Sequence, residues 1–221
     1  MESSPLPVRP SSSLSGPPQP VLTSETKNWW WNVAILLLVI GGVYGVFYFR
    51  PFRLSGGTSH TNVGTPLPIV ELESVEPDQR PVSREDLQGQ VVLLCFWGPW
   101  SEMSRRALPR VVEVAAPYQK RPDFRLLTIA CPQQPGDNRE QLRQQVRAAL
   151  REWNVSAPVY VDRQGNTLVS FRAMAGLERV PCVYLVDRQG IIQAVWPGYR
   201  DGVEKEIQEL LEEYLPEAKI R

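Results

Sequence analysis

The chain has 221 residues, enough for one ordinary domain with an appendage. Its 24 Lys and Arg residues balance 24 Asp and Glu residues, so no net field draws it to nucleic acid or anionic lipid. Three cysteines in no C-x-x-C spacing (Cys95, Cys131, Cys182) and a single histidine, His60, give no disulfide framework, no zinc or other metal site and no imidazole-based nucleophile pair.

Residues 1–28 are rich in Ser and Pro without an apolar period, the composition of a disordered tail. Residues 29–49 (WWWNVAILLLVIGGVYGVFYF) carry no charge and have the length a helix needs to cross a bilayer, with aromatics at both ends. A long polar tail precedes this segment, so a retained signal anchor is expected instead of a cleaved leader. Lys27 on one side and Arg50 with Arg53 on the other leave orientation weakly determined, and the excess favours the C-terminal side as cytoplasmic. Gly41 and Gly45 form a G-x-x-x-G pair that suits either helix pairing or ordinary membrane packing. Residues 50–66, with Gly, Ser and Thr, read as a flexible linker, and residues 67–217 as the folded domain.

Within that domain a strand is expected over Pro68–Leu72, then a short helix over Ser83–Leu87 capped by Ser83. The wholly apolar run VVLLCF suits a central strand covered on both faces. A helix over Ser101–Gln119, broken at Pro109, precedes a strand over Phe124–Ala130. A helix over Arg139–Trp153 and a short strand over Val159–Val161 follow. Cys182–Val186 and Ile191–Trp196 flank the turn Asp187-Arg188-Gln189-Gly190 as a hairpin, and Val203–Tyr214 closes the chain as an amphipathic helix. This order predicts an α/β domain with a mixed sheet flanked by helices.

The run FWGPWSEMSRRALPR, Phe96 to Arg110, resembles the active-site segment of thioredoxin-like proteins, with Phe96, Trp97, Trp100, Leu108 and Pro109 matching. RVPCVYLVDRQGII, Arg179 to Ile192, resembles the cis-proline loop and hairpin of that fold. With the insertion at 139–162 and the N-terminal anchor, the chain is most similar to membrane-anchored disulfide reductases of the cytochrome c maturation and alkyl hydroperoxide reductase-like thioredoxin type. The resemblance implies a thioredoxin-like fold over about Leu67–Leu215, a role in cell redox homeostasis, and a cytoplasmic-type membrane with the C-terminal domain on its extracytoplasmic side. That implication outweighs the small charge imbalance.

Ser101 and Ser104 occupy both positions where the resembled family has cysteine, a degenerate site without a redox couple. A helix N-terminus contributes ~0.3–1 kcal/mol to an anion, ~2 at best, or at most ~1.5 pKa units, far too little to activate an aliphatic hydroxyl. Ser101 has a plain structural use as a helix cap. Cys95 reads as a small buried hydrophobe; Cys131 and Cys182 read either as structural thiols or as a relocated redox pair. Pro181 either shapes its loop or, with Val180 and Trp100, offers an edge for an extended peptide. The expectation is therefore a non-catalytic module that binds a protein partner or extended segment at Trp100, Val180 and Pro181 and meets the bilayer through 29–49, with no nucleic acid and no small-molecule cofactor. The alternatives are a thiol-disulfide oxidoreductase using Cys131 and Cys182, and a purely structural subunit of a membrane assembly.

Overall fold

The computed structural model describes residues 33–38, 57–76, 79–134, 136, 138–162 and 164–216. The chain divides into two units, residues 1–52 and 53–221. In the first, residues 33–38 are helical, with Ala34 to Leu38 exposed. The rest of the span expected at 29–49, the tail at 1–28 and the linker's first half lie outside the described residues. Among the described residues no helix is long and apolar enough to cross a membrane.

The second unit is built on a seven-stranded sheet in the order β2-β1-β5-β4-β3-β6-β7. In chain order its elements are β1 (Glu71–Ser74), β2 (Val82–Ser83), β3 (Val91–Trp97), α1 (Glu102–Ala115), β4 (Phe124–Ala130), α2 (Arg139–Glu152), β5 (Val159–Asp162), α3 (Asn166–Met174), β6 (Cys182–Val186), β7 (Ile192–Pro197) and α4 (Val203–Tyr214). β3, β4 and β5 run parallel, while β1 and β6 pair antiparallel on their two sides. Every residue of β3 is buried, because side chains alternate between two covered faces. Leu93, Cys95 and Trp97 meet α1, α2 and α4 through Leu108, Val111, Val146, Ile207 and Leu211. Leu94 and Phe96 enter the opposite layer with Leu168 and Phe171 of α3. The mixed sheet flanked by helices is the architecture expected.

Four local expectations change. The α1 helix runs unbroken through Pro109, because Leu108, Val111 and Ala115 bury against the sheet and offset the one hydrogen bond that a proline removes. It ends at Ala115, where Ala116–Tyr118 tightens into a 3₁₀ turn containing Pro117. At Glu85–Leu87 only a 3₁₀ turn forms; Ser83 is not its cap, since its own N–H and hydroxyl both donate to Asp86 Oδ2. The α3 helix has no counterpart among the expected elements, and residues 57–66, expected in the linker, are held on the domain. Gly57 and Val195 exchange both main-chain bonds, Gly64 N–H donates to Ile192 O, and Ile192 N–H donates to Thr65 O.

Candidate functional site

The sheet topology gathers four chain segments at one edge: the ends of β3, β4 and β7 and the start of β6. The first carries Gly98 to Ser104. Ser101 has extended backbone (φ −100°, ψ 116°), so it stands just outside α1 as its N-cap, and its hydroxyl accepts the Ser104 N–H at 3.2 Å. Ser104 is fully buried; its Oγ accepts the Gly98 N–H at 3.1 Å, and Ser101 N–H donates back to Gly98 O at 3.0 Å. Both hydroxyls are thus engaged in closing one turn onto the helix start.

That turn presents Trp100, 45% exposed, whose Nε1 donates to Cys131 O at 3.2 Å. Its ring lies so close to Gly98 that a methyl group there would meet ring atoms at 2.7 and 2.8 Å. Beneath, Trp97 is fully buried and edge-on to Trp153 at 5.5 Å between ring centroids.

The start of β6 brings Val180 and Pro181 to the same edge. The peptide bond between them is cis, and Pro181 O accepts the Gly198 N–H at 2.7 Å. Next in the chain, Tyr199 N–H points at Met103 Sδ at 3.3 Å, and Arg106 lies over the Tyr199 ring at 5.6 Å. Trp100 and Met103, 44% exposed, therefore offer an apolar ledge at the sheet edge that carries the cis-proline loop. Val180 is half-buried, and among the described residues its N–H and C=O make no main-chain hydrogen bond. An unpaired backbone edge beside exposed apolar side chains is the arrangement an extended chain pairs with. Met103 is not among the site residues expected from the sequence.

All three thiols are free and buried. Burial pushes Cys95 well above the ordinary thiol range, Cys131 up to about 12 and Cys182 up to about 12. Cys95 faces the helix layer of α1, α2 and α4, whereas Cys131 and Cys182 face the α3 layer. Phe96 of β3 pairs with Cys182 on one side and with Ile129, two residues before Cys131, on the other. Cys131, just past the end of β4, and Cys182, the first residue of β6, thus have β3 between them, so their Cα atoms are at least two strand spacings of ~4.8 Å, about 10 Å, apart. Disulfides need Cα atoms ~4.4–6.8 Å apart.

The lone histidine makes a local contact, its Nδ1 accepting the Asn62 N–H at 3.2 Å. Among the described residues no group of His, Cys, Asp and Glu has the makings of a metal site.

Comparison with known proteins gives three kinds of match. The model of the AhpC/TSA family matches residues 63–195. The thioredoxin-like protein YneN of Bacillus subtilis is 24% identical over 76% of this chain and 89% of its own length. The thiol:disulfide interchange protein DsbE of Pseudomonas aeruginosa is 28% identical over 84% of this chain and 98% of its own. Among solved structures, a thiol:disulfide interchange protein of the thioredoxin family from Chlorobium tepidum superposes with a TM-score of 0.54, at 20% identity over 68% of this chain and 96% of that one. A thiol-disulfide isomerase from Corynebacterium glutamicum gives 0.53, at 21% identity over 70% and 98%. These structures share the fold: a thioredoxin-like mixed sheet with flanking helices.

Proposed function

The chain belongs to the AhpC/TSA family, and from that premise we propose that it is a thioredoxin-like binding module whose two active-site cysteines are replaced by Ser101 and Ser104. It binds an extended polypeptide segment along Val180 and Pro181, with Trp100 supplying the apolar contact. One observation carries this reading. Both hydroxyls are consumed in structural hydrogen bonds at the start of α1, while the ledge and unpaired edge beside them stay open. A residue that only caps a helix supplies no redox couple, and the remaining thiols are buried at pKa values where the thiolate is scarce at neutral pH. We further read residues 29–49 as a membrane anchor that holds the domain on the extracytoplasmic side of a cytoplasmic-type membrane, supported by the uncharged length of that segment.

The names of DsbE and of the thiol-disulfide oxidoreductase ResA of Halalkalibacterium halodurans favour a second reading, redox chemistry at Cys131 and Cys182. The intervening strand and the raised thiol pKa values weigh against it. Two assays of the full-length chain decide between them. A reduced, carboxymethylated polypeptide is titrated against wild type, Trp100→Ala and Pro181→Ala; the binding reading expects at least about tenfold weaker affinity in one of the variants, as for loss of a central aromatic anchor. Equal affinity in all three would place binding elsewhere. Reduction of insulin disulfides is measured beside Cys131→Ser and Cys182→Ser; turnover that either substitution abolishes establishes the redox reading.

A further inference from the structure

Residues 57–66 touch the domain on two sides. Main-chain bonds hold the ends of this segment on β7. Between those ends, the turn His60–Asn62 faces the stretch joining α3 to β6. Asn62 Nδ2 donates to Met174 O at 3.3 Å. A methyl at Gly176, whose φ of +68° favours glycine, would lie 3.1 Å from that same Nδ2 and 3.5 Å from His60 Cε1, so the turn packs closely on this backbone. From inside, Tyr184 OH donates to Ala175 O at 3.1 Å and Leu177 N–H donates to Phe171 O at 3.1 Å. The stretch is gripped on both sides a few residues before Val180.

One contact within the outer turn depends on protonation state. His60 Nδ1 accepts the Asn62 N–H, which only a neutral ring with a lone pair on that nitrogen allows; an imidazolium sets two donors against each other. Residues 57–66 contain no other ionisable side chain, and β7 contains none. From the α3–β6 stretch Glu178 is the charged group whose field reaches the ring; it favours protonation, and burial opposes it more strongly. Protonation therefore occurs below the ordinary ~6.5 of an imidazole.

We propose that His60 and Asn62 form a pH-dependent clasp that positions the loop leading to Val180 and Pro181. The proposal rests on the reading of that loop as the peptide-binding edge. A group protonated less readily in the folded arrangement stabilises it above pH ~6.5 and loses it as pH falls through the lower folded value. The clasp is closed at neutral pH and open in acid.

Hydrogen–deuterium exchange of the full-length chain without ligand, corrected for intrinsic rates, tests this at about pH 7.5 and about pH 5. Wild type is expected to lose protection over residues 174–180 about fivefold in acid, the opening that follows loss of one ordinary hydrogen bond. His60→Asn supplies a side-chain carbonyl that accepts the same N–H without titrating, so its protection stays high at both pH values. His60→Ala shows the reduced protection of acid-treated wild type at both pH values. Protection in wild type that ignores pH, or acid loss in His60→Asn equal to that of wild type, overturns the clasp. Titrating the carboxymethylated polypeptide under the same conditions reads the binding edge separately. Expected exchange with no binding at either pH leaves the clasp standing and removes the peptide reading alone.

Discussion

Gly98→Ala isolates what holds Trp100 in place. The three nearest heavy atoms to an added methyl all belong to the Trp100 ring, at 2.7, 2.8 and 3.0 Å, so the indole must leave its seat. Leaving breaks the bond from Nε1 to Cys131 O, worth ~1 kcal/mol. It also exposes the buried part of a side chain that is 45% exposed in place. With ~200 Å² for a tryptophan and ~25 cal/mol per Å², half that area adds at most ~2.5 kcal/mol. A loss of roughly 1–3.5 kcal/mol is expected, the lower end if the indole finds a new rest. Repeating the substitution in a Trp100→Ala background removes the clash. Gly98 is not among the positive-φ glycines, so there alanine is expected to stabilise by ~0.4–1 kcal/mol through the unfolded chain. Urea unfolding of the four chains gives the cycle. The same destabilisation with and without the indole refutes the argument, because the methyl would then be clashing with something else.

Ser104→Ala leaves the buried Gly98 N–H without its acceptor and should cost ~1–3 kcal/mol in urea unfolding, whereas Ser101→Ala removes only a cap and should cost ~1 kcal/mol. Asp123 is held well below the usual carboxylate range by its hydrogen bonds to Arg121 and Arg188, which themselves donate to carbonyls at the end of α4. Its contribution is therefore present above pH ~4 and lost as pH falls through the lower folded value, so the stability difference between wild type and Asp123→Asn, followed by thermal unfolding, should be flat near neutrality and shrink only in acid. A thiol reagent at pH 8 should modify none of the three cysteines in the native chain within the time it modifies all three in urea, given the burial of each; rapid native labelling of Cys131 or Cys182 would contradict it.

The elements legible in the sequence are those whose apolar residues keep a period. β3 declares itself by an unbroken apolar run, and α4 by Val203, Ile207 and Leu211 on one face. The α3 helix hides because two of its inward positions are polar. Thr167 both accepts the Glu71 N–H and donates to Glu71 O, and Ser170 donates to Ile69 O, so the helix docks on β1 by hydrogen bonds that no hydropathy pattern records. Asp162 caps it from the preceding strand, accepting from Gly165 and Leu168, which places the start signal outside the helix. Residues 57–66 were misread for a related reason: small polar residues suit a tether, but here their main chain does the pairing. At the site, Trp100, Ser101, Ser104 and the cis bond before Pro181 were all legible from the motif. The contribution of Met103 was not, because its contact with Tyr199, which follows β7 in the chain, has no signal in the sequence.

The two serines do more than leave a gap where a thioredoxin resemblance expects thiols. The turn from Gly98 to Ser101 closes through Ser101 N–H to Gly98 O, and the helix beneath takes over that turn's carbonyl through Arg105 N–H to Ser101 O. Ser104 Oγ then holds the Gly98 N–H from below, and Ser101 Oγ holds the Ser104 N–H. A thiol is a weak acceptor in either place, so sulfur would make both of these bonds poorer. Hydroxyls at 101 and 104 therefore fasten the segment that carries Trp100 more firmly than a reduced dithiol, while supplying no electrons. Rigid presentation of an exposed indole lowers the ordering cost of a binding surface. Under the proposed binding role, the two hydroxyls that supply no redox couple are the ones that hold Trp100 in place.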